Sequence, residues 1–235
     1  MSLGLGLFII SGCLAVLAGW SVNNRITGAR FSWIGFLIGA LAFLMAGVVQ
    51  NLLVTPVALA IHGGEGVVQL VPMFIWEAVY YGLAAGVAQE GMKCLANAVY
   101  RRRAFLPVAI ALGAGFAWVE IVLISFPAWQ TPVASLAGLA LPVWERFSAI
   151  LFHIGTAMLI GLGFYRQMVW RYLLLAVMLH TVVDAVVGLM ALFKVDEVIV
   201  FELAFFVFSL MTIWLASKWT KQHWTTHDIE NREGM

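Results

Sequence analysis

Six ionisable side chains, Glu77, Glu90, Glu120, His153, His180 and Asp184, fall inside stretches of this chain that are otherwise apolar. Glutamate, histidine and aspartate together are the set needed to activate water, with one group taking the proton and another orienting it. The same residue types can hold a zinc ion, His153 and His180 being the first ligands to consider, and zinc lowers the pKa of a bound water. His180 and Asp184 are spaced i,i+4 and share one helix face, where they can ligate one centre or bond one substrate oxygen. Arg146 and His153 are spaced i,i+7, again on one face, and Glu90 and Lys93 are i,i+3. Each of the two cations has a carboxylate close in sequence, Glu90 for Lys93 and Glu145 for Arg146, which offsets part of the penalty of burial. The Glu145–Arg146 pair reads first as a structural salt bridge. No serine stands in a GxSxG context and Ser148 has no evident base beside it, which disfavours acyl transfer through a serine nucleophile.

These groups need elements to carry them, and composition names the kind. The chain has 235 residues, 63% of them hydrophobic and 11% charged. A mean hydropathy of +0.98 is that of an integral membrane protein. The net charge of +1 supplies no global field, so no nucleic-acid partner is expected. Cys13 and Cys94 lie apart without CxxC spacing and read as two buried thiols. The N-terminus is apolar from Leu3 and has no basic region before it, so the first apolar run is read as an uncleaved span.

A spanning helix needs about 20 largely apolar residues. Seven segments meet this: 3–21, 31–54, 71–99, 104–126, 136–164, 171–192 and 197–217, joined at Asn23-Asn24, Thr55-Pro56, Gly63-Gly64, Pro127, Thr131-Pro132 and Lys194. The stretch 56–72 also suits a re-entrant element. The expected fold is thus all-α, one polytopic domain over 1–235. Arg25 and Arg30, Arg101 to Arg103, Arg166 and Arg171, and Lys218, Lys221 and Arg232 fall on alternate connections, which predicts an N-out, C-in protein with seven spans. A bacterial-type cytoplasmic membrane is the expected location. Trp20, Trp33, Trp129, Trp170 and Trp219 fall near span ends, whereas Trp76, Trp118 and Trp214 read as packing residues. Gly35/Gly39 and Gly82/Gly86 suit close helix contact.

Counting from the basic markers, Glu90, Glu120, His153, His180 and Asp184 lie on the order of 14–26 Å above the cytoplasmic boundary, near the middle of the hydrocarbon. Four different helices thus bring a carboxylate or imidazole to one depth. Glu77 and Glu202 lie nearer the outer boundary, where they are expected to face water or a partner cation.

Four stretches come in a recognisable order: Gln89-Glu90-Gly91-Met92-Lys93, Gly113-Ala114-Gly115-Phe116 running to Glu120, Glu145-Arg146 running to His153, and His180 running to Asp184. They resemble the motifs of the YhfC family of intramembrane proteases, related to PrsW-like proteases and to CPBP/CAAX-type prenyl endopeptidases. The resemblance covers about residues 70–190. It implies that Glu90 activates water, that Glu120 is the acidic residue of the second motif, and that His153 and His180 are the motif histidines. By the same resemblance, Asp184 supports an oxyanion or a ligand. Relatives often carry paired glutamates where this chain has Gln89-Glu90, and often Arg where it has Lys93.

The leading expectation is an intramembrane endopeptidase acting on a membrane-embedded or lipidated protein substrate, with zinc as a candidate cofactor and lipid as surroundings. Chains of Asp, Glu and His also form proton relays, so a proton-coupled transporter is the second reading. A non-catalytic protein binding lipidated or transmembrane partners, favoured by Gln89, is the third.

Overall fold

In hydrocarbon every backbone N–H and C=O must be satisfied within its own segment, so long apolar runs fold as helices. The computed structural model describes residues 2–62, 74–99, 105–130, 137–195 and 198–233. Among the described residues seven α-helices follow one another: α1 (Leu3–Thr27), α2 (Trp33–His62), α3 (Ile75–Val99), α4 (Phe105–Ser125), α5 (Ala137–Tyr165), α6 (Val169–Phe193) and α7 (Val198–Glu233). A short 3-10 helix, Phe126–Gln130, follows α4. Six of the seven are long and apolar enough to cross a membrane, so the chain is a multi-pass integral membrane protein. The exception is α3, as long as α1 and α6 but carrying Glu77, Glu90 and Lys93.

Helices α1, α2, α6 and α7 run longer than the hydrophobic pattern predicts. Asn23-Asn24, expected as a connection, lies inside α1, and the turn comes at Gly28, whose φ of 62° is the left-handed conformation glycine adopts readily. The Asn23 amide is buried and donates to the Ala29 carbonyl at 2.7 Å, satisfying backbone beyond the helix end. Thr55-Pro56 is likewise not a break, because α2 continues through Pro56 to His62. Proline removes one helical hydrogen bond, a loss that membrane helices tolerate when neighbours compensate. Residues 56–62 are therefore helical rather than re-entrant; the remainder of that stretch, Gly63-Gly64, Thr131-Pro132 and Arg101 to Arg103 lie outside the described residues. The connection at Lys194 is present, with Lys194 itself in the left-handed region and its N–H bonded to the last turn of α6.

Helices α4 and α5 form the inside of the bundle. Leu106, Ile110, Ala114, Ile154, Met158 and Leu162 are fully buried between them and α1. The α2 helix packs on α4, α7 on α5, and α3 lies along α6. The last pairing depends on glycine. A Cβ on Gly82 would stand 2.7 Å from the Ala185 nitrogen and 2.8 Å from the Thr181 carbonyl oxygen of α6; one on Gly86 would stand 2.9 Å from the Val177 oxygen. Both are closer than side chains allow, so the two glycines set the α3–α6 distance. Gly113 does the same for α4 and α5, since its Cβ would meet the His153 carbonyl oxygen at 2.6 Å. Of the tryptophans expected to pack inside, Trp118 contacts Phe8 and Phe36, whereas Trp76 and Trp214 are exposed on the outer surface, where amphipathic rings are readily accommodated. Cys13, expected to be buried, is exposed on α1, and Cys94 is half-buried.

Candidate active site

The α3–α6 and α4–α5 contacts bring polar side chains of four helices together. Glu90, Lys93, His153 and His180 are buried, Glu90 and Lys93 completely. From α3, the Lys93 ammonium is 2.7 Å from Glu90 Oε1, 2.8 Å from His153 Nδ1 and 3.0 Å from Thr156 Oγ1. A lysine ammonium has three N–H donors and no acceptor, and here each has an acceptor. The Phe116 ring covers its remaining side, with the nitrogen 4.6 Å from the ring centre.

This arrangement assigns the imidazole tautomers, which follow from the hydrogen-bond network. His153 Nδ1 accepts from Lys93, so Nε2 carries the proton and donates to Glu120 Oε2 of α4 at 2.5 Å. His180 Nδ1 is 2.6 Å from Glu90 Oε1 and donates to it. Its Nε2 then carries the lone pair in the neutral ring, 3.6 Å from Asp184 Oδ2 one turn further along α6. The other oxygen of Glu120 receives Arg146 of α5 at 3.5 Å, and Arg146 is also bonded to Glu145. The result is one chain of contacts: Glu120, His153, Lys93, Glu90, His180, Asp184.

A cavity of about 170 Å³ lies against one side of this chain. Its polar lining is Glu120, Glu145, Arg146, His153, His180 and Asp184; its apolar walls include Phe152 and Val183 and, from α7, Phe201 and Phe205. Such a volume admits several water molecules. Glu90 and Lys93 do not line it. They stand behind the two histidines, so Glu90, which the resemblance makes the water-activating residue, reaches the cavity through His180.

All five candidate site residues, with Lys93, Glu145 and Arg146, therefore belong to one constellation on α3, α4, α5 and α6. Gln89 points elsewhere: its amide reaches Gln50 of α2 at 3.5 Å, because adjacent residues on a helix face different ways. Glu77, expected to face water or a cation, is buried at the start of α3, where its carboxylate accepts the Phe74 N–H at 3.0 Å and the Tyr81 hydroxyl at 3.1 Å. An acid in the first turn also suits the positive end of the helix dipole. Glu202 of α7 is buried, with Arg146 as its electrostatic partner. Ser148 donates to the Trp144 carbonyl and takes no part. Sequence reasoning missed Thr156, which stands i+3 from His153 on the same face, and the α7 phenylalanines, which carry no signal of their own.

Glu90, His153 and His180 each offer a ligand atom within 4.8 Å of the others, a group able to hold a metal ion by residue type and spacing. Glu90 Oε2 is also buried without a hydrogen-bond partner. Against this, the Lys93 ammonium stands between Glu90 and His153, and a divalent ion beside it would face direct repulsion. The donor set suits zinc, and the Lys93 ammonium is bonded to two of its three members.

Scans against protein-family models, curated proteins and solved structures found no match.

Proposed function

We propose that the protein is an intramembrane endopeptidase that hydrolyses a peptide bond of a membrane-embedded or lipidated substrate in the cavity between α4, α5 and α6. The observation that carries this reading is the His180 relay. Glu90 holds Nδ1–H from behind, and Nε2, 3.6 Å from Asp184 Oδ2, belongs to a residue lining a cavity that can hold water. A carboxylate that fixes the tautomer of an imidazole base is the arrangement used in hydrolytic triads. The order of the four motifs, which resembles that of the YhfC, PrsW-like and CAAX-type proteases, supports the same class and narrows it to peptide bonds.

In this reading a cavity water gives its proton to His180 Nε2 as its oxygen bonds to the scissile carbonyl carbon. Asp184 faces the same nitrogen and stabilises the imidazolium that forms. The carbonyl oxygen becomes an oxyanion, for which Arg146 is the nearest cation on the cavity wall; its Nε–H has no partner in the resting protein. When the carbon–nitrogen bond breaks, His180 returns the proton to the departing nitrogen, leaving a carboxylic acid and an amine. Glu120, held by His153 and Arg146, is the second carboxylate at the water.

A proton relay is the alternative that the chain from Glu120 to Asp184 brings to mind. Both of its ends line the same cavity, so the chain leads a proton back to where it entered rather than across the membrane. Proteoliposomes carrying the protein and a panel of transmembrane and prenylated peptides test the two readings together. The expected result is peptide cleavage, reduced at least about 10³-fold in His180→Gln, with no proton uptake after an external acid pulse. Proton uptake without cleavage would replace the hydrolase reading by the transporter reading.

A further inference from the structure

We infer that Lys93 is the resident cation of the centre, its ammonium taking the place that a metal ion would hold between Glu90 and His153, so that the site works without a metal. The inference takes the proposed hydrolase only as context, because its test reads metal binding and protonation rather than turnover.

Three observations carry it. First, the surroundings of the Lys93 nitrogen are those of a bound cation. A carboxylate oxygen, an imidazole nitrogen and a hydroxyl oxygen lie at 2.7, 2.8 and 3.0 Å, and an aromatic face closes the remaining side at 4.6 Å. No donor of the ammonium is left over, which is how a buried lysine is held in its charged form. Second, two of the three residues able to form a metal group, Glu90 and His153, are the ones bonded to Lys93, and the third, His180, shares Glu90 Oε1 with it. A metal at this point would have to expel the lysine. Third, the cluster already holds two cations among its acids. Glu90 faces Lys93, Glu120 and Glu145 face Arg146, and the buried Glu202 of α7 has Arg146 as its electrostatic partner. A divalent ion bound by Glu90 and His153 would be repelled by the Lys93 ammonium, which is already bonded to both.

Lys93 is thereby a positioning residue. By donating to His153 Nδ1 it forces the proton to Nε2, and that proton anchors Glu120 at the cavity. By bonding Glu90 it holds the carboxylate that orients His180. One side chain would thus set the tautomers of both histidines, as a bound metal does for its ligands.

The test uses the full chain in detergent, with zinc ion as the probe. After equilibration with zinc and removal of the excess, wild type should retain none in stoichiometric amount. Lys93→Ala should retain about one per chain, with Glu90, His153 and His180 as its three protein ligands, and adding His180→Ala should abolish that retention. About one zinc per wild-type chain, lost in His180→Ala, would overturn the inference, as would a folded Lys93→Ala that binds none. Should Lys93→Ala fail to fold, nitrogen-15 spectroscopy of wild type decides instead. The inference requires His153 unprotonated at Nδ1 and protonated at Nε2, with both resonances unmoved by zinc. A proton on Nδ1, or a zinc-induced shift of either nitrogen, would overturn it.

Discussion

Glu90 is bonded through one oxygen to both a cation and an imidazole, so changing it probes both. Glu90→Gln keeps the shape but presents an amide, which can no longer hold His180 in one tautomer as a carboxylate does. Turnover is expected to fall by on the order of 10²–10⁴-fold with the protein still folded, by analogy with removal of the orienting carboxylate in a hydrolytic triad. Retained wild-type turnover in that variant would separate Glu90 from the chemistry. Lys93→Met should be destabilised by about 3–5 kcal/mol in detergent unfolding, because it leaves a fully buried carboxylate without its cation. Adding Glu90→Gln to that variant removes the orphaned charge, so the double variant should recover much of the loss; simple additivity would mean the two groups do not interact. At this scale the sequence was informative because intramembrane charges are rare and their spacing is visible. The i,i+3 pair Glu90–Lys93 and the i,i+4 pair His180–Asp184 could be read directly. The reach of Lys93 to His153 and Thr156, more than 60 positions away for Thr156, could not, since no local period records which helices meet.

Helices α3 and α6 owe their contact to glycine, and the site owes its Glu90–His180 bond to that contact. Gly82→Ala would place a methyl group against the α6 backbone, so a loss on the order of 1–3 kcal/mol is expected. Turnover should fall with it as Glu90 is drawn away from His180. Gly47→Ala of α2 is the control: nothing lies within 4 Å of the added carbon, and the variant should match wild type or exceed it by up to ~1 kcal/mol. Thermal unfolding beside activity separates the two outcomes. Both glycine pairs were legible as close-contact sites, but their partners, α4 for Gly35 and Gly39 and α6 for Gly82 and Gly86, were not. Composition placed breaks at Asn23-Asn24 and Thr55-Pro56, where the helices in fact continue. Asn and Pro mark turns in water, whereas in a bilayer an unsatisfied backbone is so unfavourable that a helix extends through them. The α7 helix contributes two lining residues of the cavity, Phe201 and Phe205, and only tertiary packing reveals it.

Across the whole molecule, the seven helices fall into an inner pair, α4 and α5, and an outer set that closes around the buried Glu90–His153–His180 cluster. The polar α3 is the helix whose crossing is least evident from hydropathy, yet it lies along α6 within the bundle and brings Glu90 to His180. If all seven helices cross, the two termini lie on opposite sides, and the distribution of basic residues predicts the N-terminus outside. Reporter fusions at each end should therefore give opposite signals, the C-terminal one from the cytoplasm; equal signals would remove α3 from the spanning set. The central claim is hydrolysis of a peptide bond by the His180 cavity, and its most direct measurement is isotopic. Proteoliposomes containing the protein and a membrane-protein substrate pool are incubated in oxygen-18 water, and newly formed C-termini are identified by mass spectrometry. The account predicts new C-termini carrying one oxygen-18 atom with wild type and none above background with His180→Gln. Labelled termini in equal amount from both proteins, or none from wild type, would contradict it.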